Sequence, residues 1–515
     1  MTTLVTTLVK TIADLLESGA DGDIAVRAVD ERPLSYGDLR ALVARSSEQL
    51  STLGIGRNDR VAIVMPNGPH MVTAFVCIAS SATTAPLNPG YTREEFDFYL
   101  ADLGAKALVV AQNSDSPAVA SARGAGLRVL ELTGDPAAGA GAFTLGSHDA
   151  GTAPFPEQTG PATATDTALV LHTSGTTSRP KIVPLSQSNV CASARNIGNT
   201  LALTNSDVCL NVMPLFHIHG LMAAVLATLG SGGTVFAAPS FDALRFFAWL
   251  DQSRATWYSA VPTMHQAILR RAARNREIVA RSRLRFIRSS SASLPPPVLA
   301  ELENTFEVPV VEAYAMTEAS HQMTSNPLPP APRKPGTVGC AAGPEVAIMH
   351  ESESGLLAAG ETGEVVIRGD NVTAGYENRP EANAECFVGG WFRTGDQGVM
   401  DDDGYLTITG RLKEIINRGG EKISPREVDD VLMDHPAVRQ AVTFAMPHEL
   451  LGEEVAAAIV LRDGSEVDAH DIRSFVAERL SAFKVPRKVL LIDEIPKGPT
   501  GKLQRIGLAA KLGLD

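Results

Sequence analysis

Residues 168–181 read ALVLHTSGTTSRPK, and they join an apolar run to a loop of small hydroxyl residues. The apolar run predicts a buried strand. In the loop, glycine and short side chains allow backbone N–H groups and hydroxyls to converge on an anion, and Lys181 adds a positive charge. The stretch therefore predicts a phosphate-binding loop formed by Thr173, Ser174, Gly175, Thr176 and Thr177.

This loop differs from the common phosphate loop GxxxxGK, because Pro180 stands where that pattern requires glycine. The sequence also has no GxGxxG and no GxSxG motif, so it indicates neither a dinucleotide-binding fold nor an esterase. The alternative interpretation is a surface loop that is rich in Ser and Thr and binds nothing.

Apolar runs of strand length alternate with helical patterns over most of the chain. Such alternation predicts βαβ units, so we expect an α/β fold with mainly parallel sheets flanked by helices. Residues 112–166, rich in Ala, Gly, Ser, Pro and Asp, predict a loosely built surface region. The candidate strands lie at 60–65, 107–110, 168–173, 233–239, 255–261, 284–290 and 308–314.

The pattern changes near Gly410, after which a short helix, two strands, a helix and a last strand are predicted. Roughly a hundred residues of this kind are enough for a separate small α+β domain. We therefore predict a large N-terminal domain at 1–410 and a small C-terminal domain at 411–515.

Composition excludes several classes of protein. The chain has 515 residues, of which 44% are apolar and 20% charged, and this composition disfavours disorder. Its net charge of −13 disfavours nucleic acid as a partner. Its five cysteines are scattered, which argues against a disulfide framework or a zinc site. The longest apolar run, 220–230, is too short to cross a membrane, and neither end carries a targeting signal, so we expect a cytoplasmic protein. The sequence does not indicate an oligomeric state.

A second motif, YAMTE at 314–318, follows another predicted strand. Open α/β sheets bind ligands at the carboxyl ends of their strands, so this motif and the first loop are expected to meet. Tyr314 can stack on a base, Thr317 can contact a phosphate, and Glu318 can hold Mg²⁺. Alone, the motif is equally well explained by a buried Tyr and the start of a helix.

Together, TSGTTxxPK and YxxTE resemble the adenylate-forming superfamily, which includes acyl-CoA synthetases and luciferases. Three later segments strengthen the resemblance: WFRTGD at 391–396, GRLKE at 410–414 and PKGPTGK at 496–502. The resemblance implies ATP, Mg²⁺ and coenzyme A, and a reaction in which an acyl-adenylate forms before a thioester. Ser178 and Ala315 depart from the family, which usually has glycine at both positions.

The resemblance also implies roles for individual residues. Lys181 and Lys502 would stabilise charge during adenylation, and Glu318 would bind Mg²⁺. Lys413 would be the hinge between the domains. The residues implied for the nucleotide are the loop residues with Ala313, Tyr314, Thr317, Asp396 and Arg411, and those for coenzyme A are Gly419, Gly420 and Lys422.

The acid-binding residues implied by the resemblance are polar: His217, Ser289, Ser291 and His321. His217 would stand at the mouth of the acyl site. Fatty and aromatic acids require apolar walls, so this set favours a small, charged acid. The segments PLFHIHGL, ATWYSAVPTMHQ, EAYAMTEASHQM and INRGGEKISP resemble the oxalate–CoA ligases of plants and yeast.

Oxalate is therefore the expected acid, with His321 as the partner of its second carboxylate. The alternatives are a coenzyme A ligase for a medium-chain, malonate or aromatic acid, an enzyme that loads a carrier protein, and a binding protein with a decayed site. The last is disfavoured because the charged residues of the motifs are all present.

Overall fold

A computed structural model describes residues 9–147, 155–173, 180–351, 353–496 and 504–514. Its backbone contacts divide the chain into two compact units. Within the described residues, the first unit holds the chain up to Thr173, Lys181–Glu345 and Arg368–Ala384, and the second holds Pro180, Val346–Ile367 and the chain from Glu385 onward. The predicted domain boundary at Gly410 and Arg411 stays a prediction.

The strands of the described residues are, in chain order, β1 Ile24–Arg27, β2 Leu34–Ser35, β3 Arg60–Val64, β4 Thr83–Pro86, β5 Ala107–Ala111, β6 Arg128–Gly134, β7 Phe143–Ser147, β8 Thr167–Thr173, β9 Lys181–Ser186, β10 Val208–Asn211, β11 Thr234–Ala237, β12 Trp257–Ala260, β13 Phe286–Ser290, β14 Val310–Met316, β15 His321–Ser325, β16 Cys340–Ala341, β17 Glu345–Met349, β18 Thr362–Arg368, β19 Phe387–Val388, β20 Trp391–Met400, β21 Leu406–Arg411, β22 Ile416–Arg418, β23 Glu421–Ile423, β24 Val438–His448, β25 Gly452–Leu461 and β26 Lys488–Leu491.

The α-helices of the same residues are α1 Ile12–Leu15, α2 Tyr36–Thr52, α3 Pro69–Ala79, α4 Arg93–Leu103, α5 Pro117–Gly124, α6 Gln187–Thr200, α7 Ala227–Leu229, α8 Phe246–Ser253, α9 Pro262–Ala272, α10 Arg276–Ala280, α11 Pro296–Phe306, α12 Pro380–Cys386, α13 Pro425–Met433, α14 Ala469–Ala477 and α15 Leu508–Lys511. A π-helix covers His219–Leu226, and 3₁₀ turns cover Leu16–Ser18, Thr317–Ala319, Leu412–Glu414 and Ala482–Lys484.

Local sequence explains how these elements begin and end. Thr92 caps α4 by accepting from the N–H of Glu95, whose side chain in turn accepts from the Thr92 N–H, and Gly104 ends the helix in the left-handed conformation. β3 is an apolar run that is buried along most of its length, as expected for a parallel strand covered on both faces.

The first unit contains two mixed sheets in which parallel pairs predominate. One, among the described residues, has the order β7-β6-β5-β3-β4-β8-β9, with antiparallel pairs only at its two edges. The other has the order β16-β15-β14-β13-β12-β10-β11-β1-β2 and is parallel from β14 to β1. Helices α8, α9 and α11 pack on one face of this second sheet over an apolar cluster that includes Tyr258, Ile287 and Phe247.

The second unit is built from smaller sheets. In the part of the chain that the structure describes, β17-β18-β20-β19 form one sheet with β21 paired to β20, and β23-β22-β25-β24 form another with β26 paired to β25. The β24–β25 ribbon packs helices α13 and α14 on an apolar core that includes Val428, Leu432 and Ile472.

The prediction of mainly parallel sheets flanked by helices is confirmed. The prediction of a loosely built surface region at residues 112–166 is wrong, because α5, β6 and β7 lie in that stretch. The structural reason is that β6 pairs with β5 and buries Val129 and Leu130, while Ser116 caps α5. Of the helices described, none combines the length and apolarity needed to span a membrane.

Candidate active site

The ends of the predicted phosphate-binding loop are fixed by strand pairing. Thr173 at the end of β8 and Lys181 at the start of β9 are register partners in an antiparallel pair. The loop residues Ser174, Gly175, Thr176 and Thr177, and the predicted adenylation lysine Lys502, lie outside the described residues.

Lys181 and Glu318, from the two motifs, both contact Tyr376. The Lys181 Nζ lies 4.3 Å from the centre of the Tyr376 ring, a cation–π contact. The Tyr376 hydroxyl donates to Oε1 of Glu318 at 2.7 Å, and Glu318 is only 6% exposed. Tyr376 thus connects the two predicted motifs. Sequence reasoning missed it, because nothing in the spacing of residues 369–377 singles it out.

The chain before Tyr376 holds Glu318 from a second side. The Thr373 N–H donates to the Glu318 carbonyl at 2.7 Å, and the Thr373 hydroxyl donates to the Pro184 carbonyl in β9 at 2.8 Å. The Asn371 amide donates to the Ala319 carbonyl at 2.8 Å. These bonds fix the turn that carries Glu318 relative to β9, the strand that carries Lys181.

The YAMTE motif lies at the carboxyl end of β14. A bulge interrupts the pairing with β15 between Tyr314 and Ala315. Ala313 is buried, and its carbonyl accepts from the Ser290 hydroxyl of β13 at 2.9 Å. Tyr314 is half-buried, and Thr317 begins the 3₁₀ turn. The motif therefore lies where parallel strands end, as predicted.

Buried polar side chains gather beside this edge around His219. Its Nδ1 lies 3.0 Å from the Ser291 hydroxyl, and its Nε2 lies 2.6 Å from the Ser259 hydroxyl. Its ring stacks on that of His321 with centroids 5.0 Å apart. His217 is half-buried, and its Nδ1 accepts from the His219 N–H at 3.4 Å.

Arg288, near the end of β13, completes this group. It is fully buried, and its Nη1 and Nη2 donate to Ser259 Oγ at 3.3 Å and to Gln322 Oε1 at 3.1 Å. Burial lowers the pKa of Arg288 to about 9. We call the following residues the polar cluster: His219, Ser259, Arg288, Ser291, His321 and Gln322.

Sequence reasoning identified Ser291 and His321 but missed Arg288. The signal was present, since an arginine in the strand FIRSS is unexpected among buried residues. Ser289, also predicted to bind the acid, is fully buried and lies next to Arg288 in the strand. Because strand side chains alternate, Ser289 shares the face of Ile287 rather than that of Arg288. Its role stays a prediction.

Of the ten non-glycine residues with positive φ among the described residues, three lie in the polar cluster or next to it. Ser291, Ser320 and His321 have φ values of +73°, +48° and +101°, a region that disfavours side chains. Each such residue costs on the order of 1–3 kcal/mol, and strain of this kind is typical of binding and catalytic sites. The strain is an independent indication that this edge of the sheet is functional.

In the second unit, Asp396 of β20 and Arg411 of β21 are register partners, and the Arg411 Nε lies 2.9 Å from the Asp396 Oδ1. The Asp396 side chain is 13% exposed and that of Arg411 is 43% exposed. The ion pair fixes the carboxylate while leaving the arginine partly open to a ligand. The predicted contact of both side chains with ribose stays a prediction.

The residues predicted for coenzyme A form a hairpin. Gly419 and Gly420 connect β22 to β23 with φ values of +58° and +96°, which a tight two-residue turn requires. The Lys422 Nζ lies 2.7 Å from Oε2 of Glu351 in the same unit. Lys413, the predicted hinge, lies in the 3₁₀ turn before β22.

Among the residues that the structure describes, no three His, Cys, Asp or Glu side chains are grouped to hold a metal ion. The predicted ligand Glu318 would therefore contribute a single carboxylate to a Mg²⁺ site rather than one wall of a protein cage. One such carboxylate, completed by phosphate oxygens and water, is a usual protein contribution to a Mg²⁺ site. The donor set fits an ion that arrives with a nucleotide.

Comparison with known proteins defines the class. The AMP-binding enzyme family matches residues 18–377, and the AMP-binding enzyme C-terminal domain matches residues 427–502. The chain therefore belongs to the AMP-binding enzyme family.

Individual relatives cover almost the whole chain. The oxalate–CoA ligase of Arabidopsis thaliana is 46% identical over 508 residues, 96% of this chain and 97% of that protein. The oxalate–CoA ligase of Saccharomyces cerevisiae is 43% identical over 474 residues, 87% of this chain and 86% of that protein. Among solved structures, ATP-bound MatB of Rhodopseudomonas palustris has a TM-score of 0.87 and 28% identity, covering 98% of this chain and 99% of that one. The prediction of an ATP-dependent, AMP-forming acid–CoA ligase is confirmed.

Replacing Tyr376 with phenylalanine tests the connection between the motifs. The change keeps the ring over Lys181 but removes the hydrogen bond to Glu318. A hydrogen bond to a charged group contributes about 1.5 kcal/mol, so acid-dependent exchange of pyrophosphate into ATP is expected to slow roughly tenfold.

Tyr36→Phe is the matched control, because the Tyr36 hydroxyl is also buried but donates only to backbone carbonyls, at 3.0 Å to Leu229 and 2.7 Å to Gly233. We expect that variant to lose stability and keep its exchange rate. An unchanged exchange rate in Tyr376→Phe would show that Glu318 does not depend on this bond.

Proposed function

We propose that the enzyme is an oxalate–CoA ligase, which converts oxalate, ATP and coenzyme A into oxalyl-CoA, AMP and pyrophosphate. The proposal is carried by the polar cluster, a buried group containing two histidines and a guanidinium. The 46% identity to the Arabidopsis thaliana oxalate–CoA ligase supports it independently. An apolar fatty or aromatic acid would offer neither a counter-charge nor a hydrogen-bond acceptor to a site with a buried guanidinium beside it.

The chemistry requires positive charge at the nucleotide. A carboxylate oxygen of the acid attacks the α-phosphorus of ATP, a P–O bond forms, and pyrophosphate leaves. Because two anions approach each other, we assign Lys181 and Lys502 to stabilise the charge that develops. We assign Asp396 and Arg411 to the ribose, and Ala313, Tyr314 and Thr317 with the loop at 173–177 to the rest of the nucleotide.

Magnesium belongs to the same proposal. We assign Glu318 as its ligand, because it supplies a buried carboxylate that the Tyr376 hydroxyl already orients. When bound, Mg²⁺ would neutralise charge on the phosphates. The Tyr376 hydroxyl orients this carboxylate, and the Thr373 N–H fixes the backbone carbonyl of Glu318.

The second half-reaction needs a thiol. The coenzyme A sulfur attacks the acyl carbon, the C–O bond to AMP breaks, and the thioester forms. We assign the hairpin of Gly419, Gly420 and Lys422 to coenzyme A, and Lys413 to the backbone rotation between the half-reactions. A cytoplasmic location is part of the proposal.

A panel of acids tests the proposal. Release of AMP that depends on coenzyme A should be measured with oxalate, malonate, hexanoate and coumarate. We expect the kcat/KM for oxalate to exceed the others by about tenfold or more, since a mismatched buried polar contact costs about 1–3 kcal/mol and a factor of ten corresponds to about 1.4 kcal/mol. An enzyme that ignores oxalate and accepts hexanoate or coumarate would contradict the substrate, and release of ADP would contradict the mechanism.

Two variants separate the half-reactions. Lys502→Ala should lower adenylate formation by roughly 10²–10³, because it removes one charged donor, while supplied acyl-adenylate is still converted to thioester. Lys413→Pro should do the reverse, because proline fixes φ near −65° and blocks the rotation. Each variant is the control for the other. Equal loss of both steps in either variant would contradict its assigned role.

A further inference from the structure

The Arg288 guanidinium is held only by uncharged acceptors. Within the described part of the chain its contacts are the Ser259 hydroxyl, the Gln322 amide oxygen and the His219 Nε2, which lies 3.5 Å from Nη1. Its Nε has no hydrogen-bond partner among those residues. None of the described carboxylates forms an ion pair with it or contributes to the shift of its pKa.

Such an arrangement is costly for the free protein. A cation taken out of water costs several kcal/mol unless a counter-charge compensates it. The cost is visible in the pKa of Arg288, which burial lowers to about 9, yet the group stays charged at neutral pH. A retained buried charge with an N–H still unpaired is expected where a ligand supplies the anion.

The hydrogen bonds next to Arg288 have a consistent direction. A guanidinium only donates, so Arg288 donates to Ser259 Oγ, and its Nη1 also faces His219 Nε2 at 3.5 Å. A ring nitrogen that faces this donor is assigned as an acceptor, so the Ser259 hydroxyl is assigned as the donor to Nε2. The proton of His219 is then on Nδ1, which donates to Ser291 Oγ. Because Ser291 Oγ accepts from His219 in this arrangement, the Ser291 O–H can donate to another group, such as a bound acid. Ser291 is half-buried, unlike Arg288, and follows directly after β13.

We propose that Arg288 determines specificity for a short dianionic acid. Its positive charge offsets the second carboxylate of the acid, and through Ser259 and His219 it orients the Ser291 hydroxyl, which donates to that carboxylate. Arg288 is thus a positioning residue. The inference rests on the proposed function and deepens it, because in oxalate the second carboxylate is bonded directly to the one that attacks ATP.

The test compares oxalate with oxamate, which has the same size and replaces one carboxylate by a neutral amide. Arg288→Met removes the charge and keeps an unbranched side chain, and Arg288→Lys keeps the charge. Arg285→Met is the matched control, since Arg285 precedes β13 and is paired with Asp207 at 2.8 Å. The readouts are kcat/KM in pyrophosphate exchange with each acid, and the affinity for ATP.

In Arg288→Met, kcat/KM for oxalate should fall by about 100-fold, mainly through KM, while oxamate changes little and ATP still binds. Arg288→Lys should prefer oxalate over oxamate more strongly than Arg288→Met does. Arg285→Met should keep the full preference of the wild type. An equal loss for both acids in Arg288→Met, with ATP binding intact, would overturn the inference and leave Arg288 a purely structural residue.

Ser291→Ala keeps the test decisive if Arg288→Met does not fold. It should lower the preference for oxalate over oxamate in the same direction, and an unchanged preference overturns the inference. A wild-type enzyme that does not use oxalate contradicts the proposed function instead. In that case the same comparison is made with malonate and its monoamide in place of oxalate and oxamate. A wild-type enzyme that prefers the monoamide to malonate overturns the inference as well.

Discussion

The parallel register of β12, β13 and β14 is the constraint on which the polar cluster depends. It pairs Ser259 with Arg288 and Ser289 with Glu312. A slip of one residue in β13 would turn Arg288 towards the apolar cluster under α8, α9 and α11 and away from Ser259 and Gln322. The register that buries Ile287 with that cluster therefore also delivers the guanidinium to the opposite face. Packing and binding chemistry are set by the same pairing.

The nucleotide side of the first unit depends on a different contact. Tyr376 lies between Lys181 and Glu318, and Thr373 bonds both to the turn of Glu318 and to β9. A cation and a carboxylate that we assign to the same nucleotide are thereby placed by one short segment far along the chain. This arrangement lets each charge be positioned without a direct ion pair that would neutralise both.

Much of the fold was predictable, because parallel strands buried on both faces are continuous apolar runs. The stretch at 112–166 was not, since α5 is made of small residues whose helix is stabilised by packing rather than by pattern. Arg288 and Tyr376 were missed for a related reason. Each is defined by partners distant in sequence; the arginine in the strand FIRSS was a local sign of a buried charge, but the spacing did not indicate its partners.

The account's central claim is that oxalate is activated as a mixed anhydride with AMP. Oxalate labelled with ¹⁸O at every oxygen tests this most directly, with AMP and oxalyl-CoA collected after a single turnover. The carboxylate oxygen that bonds to phosphorus stays with phosphorus when the thiol breaks the C–O bond, so AMP should carry a single labelled oxygen. Unlabelled AMP beside newly formed oxalyl-CoA, or label in inorganic phosphate with release of ADP, would contradict the account.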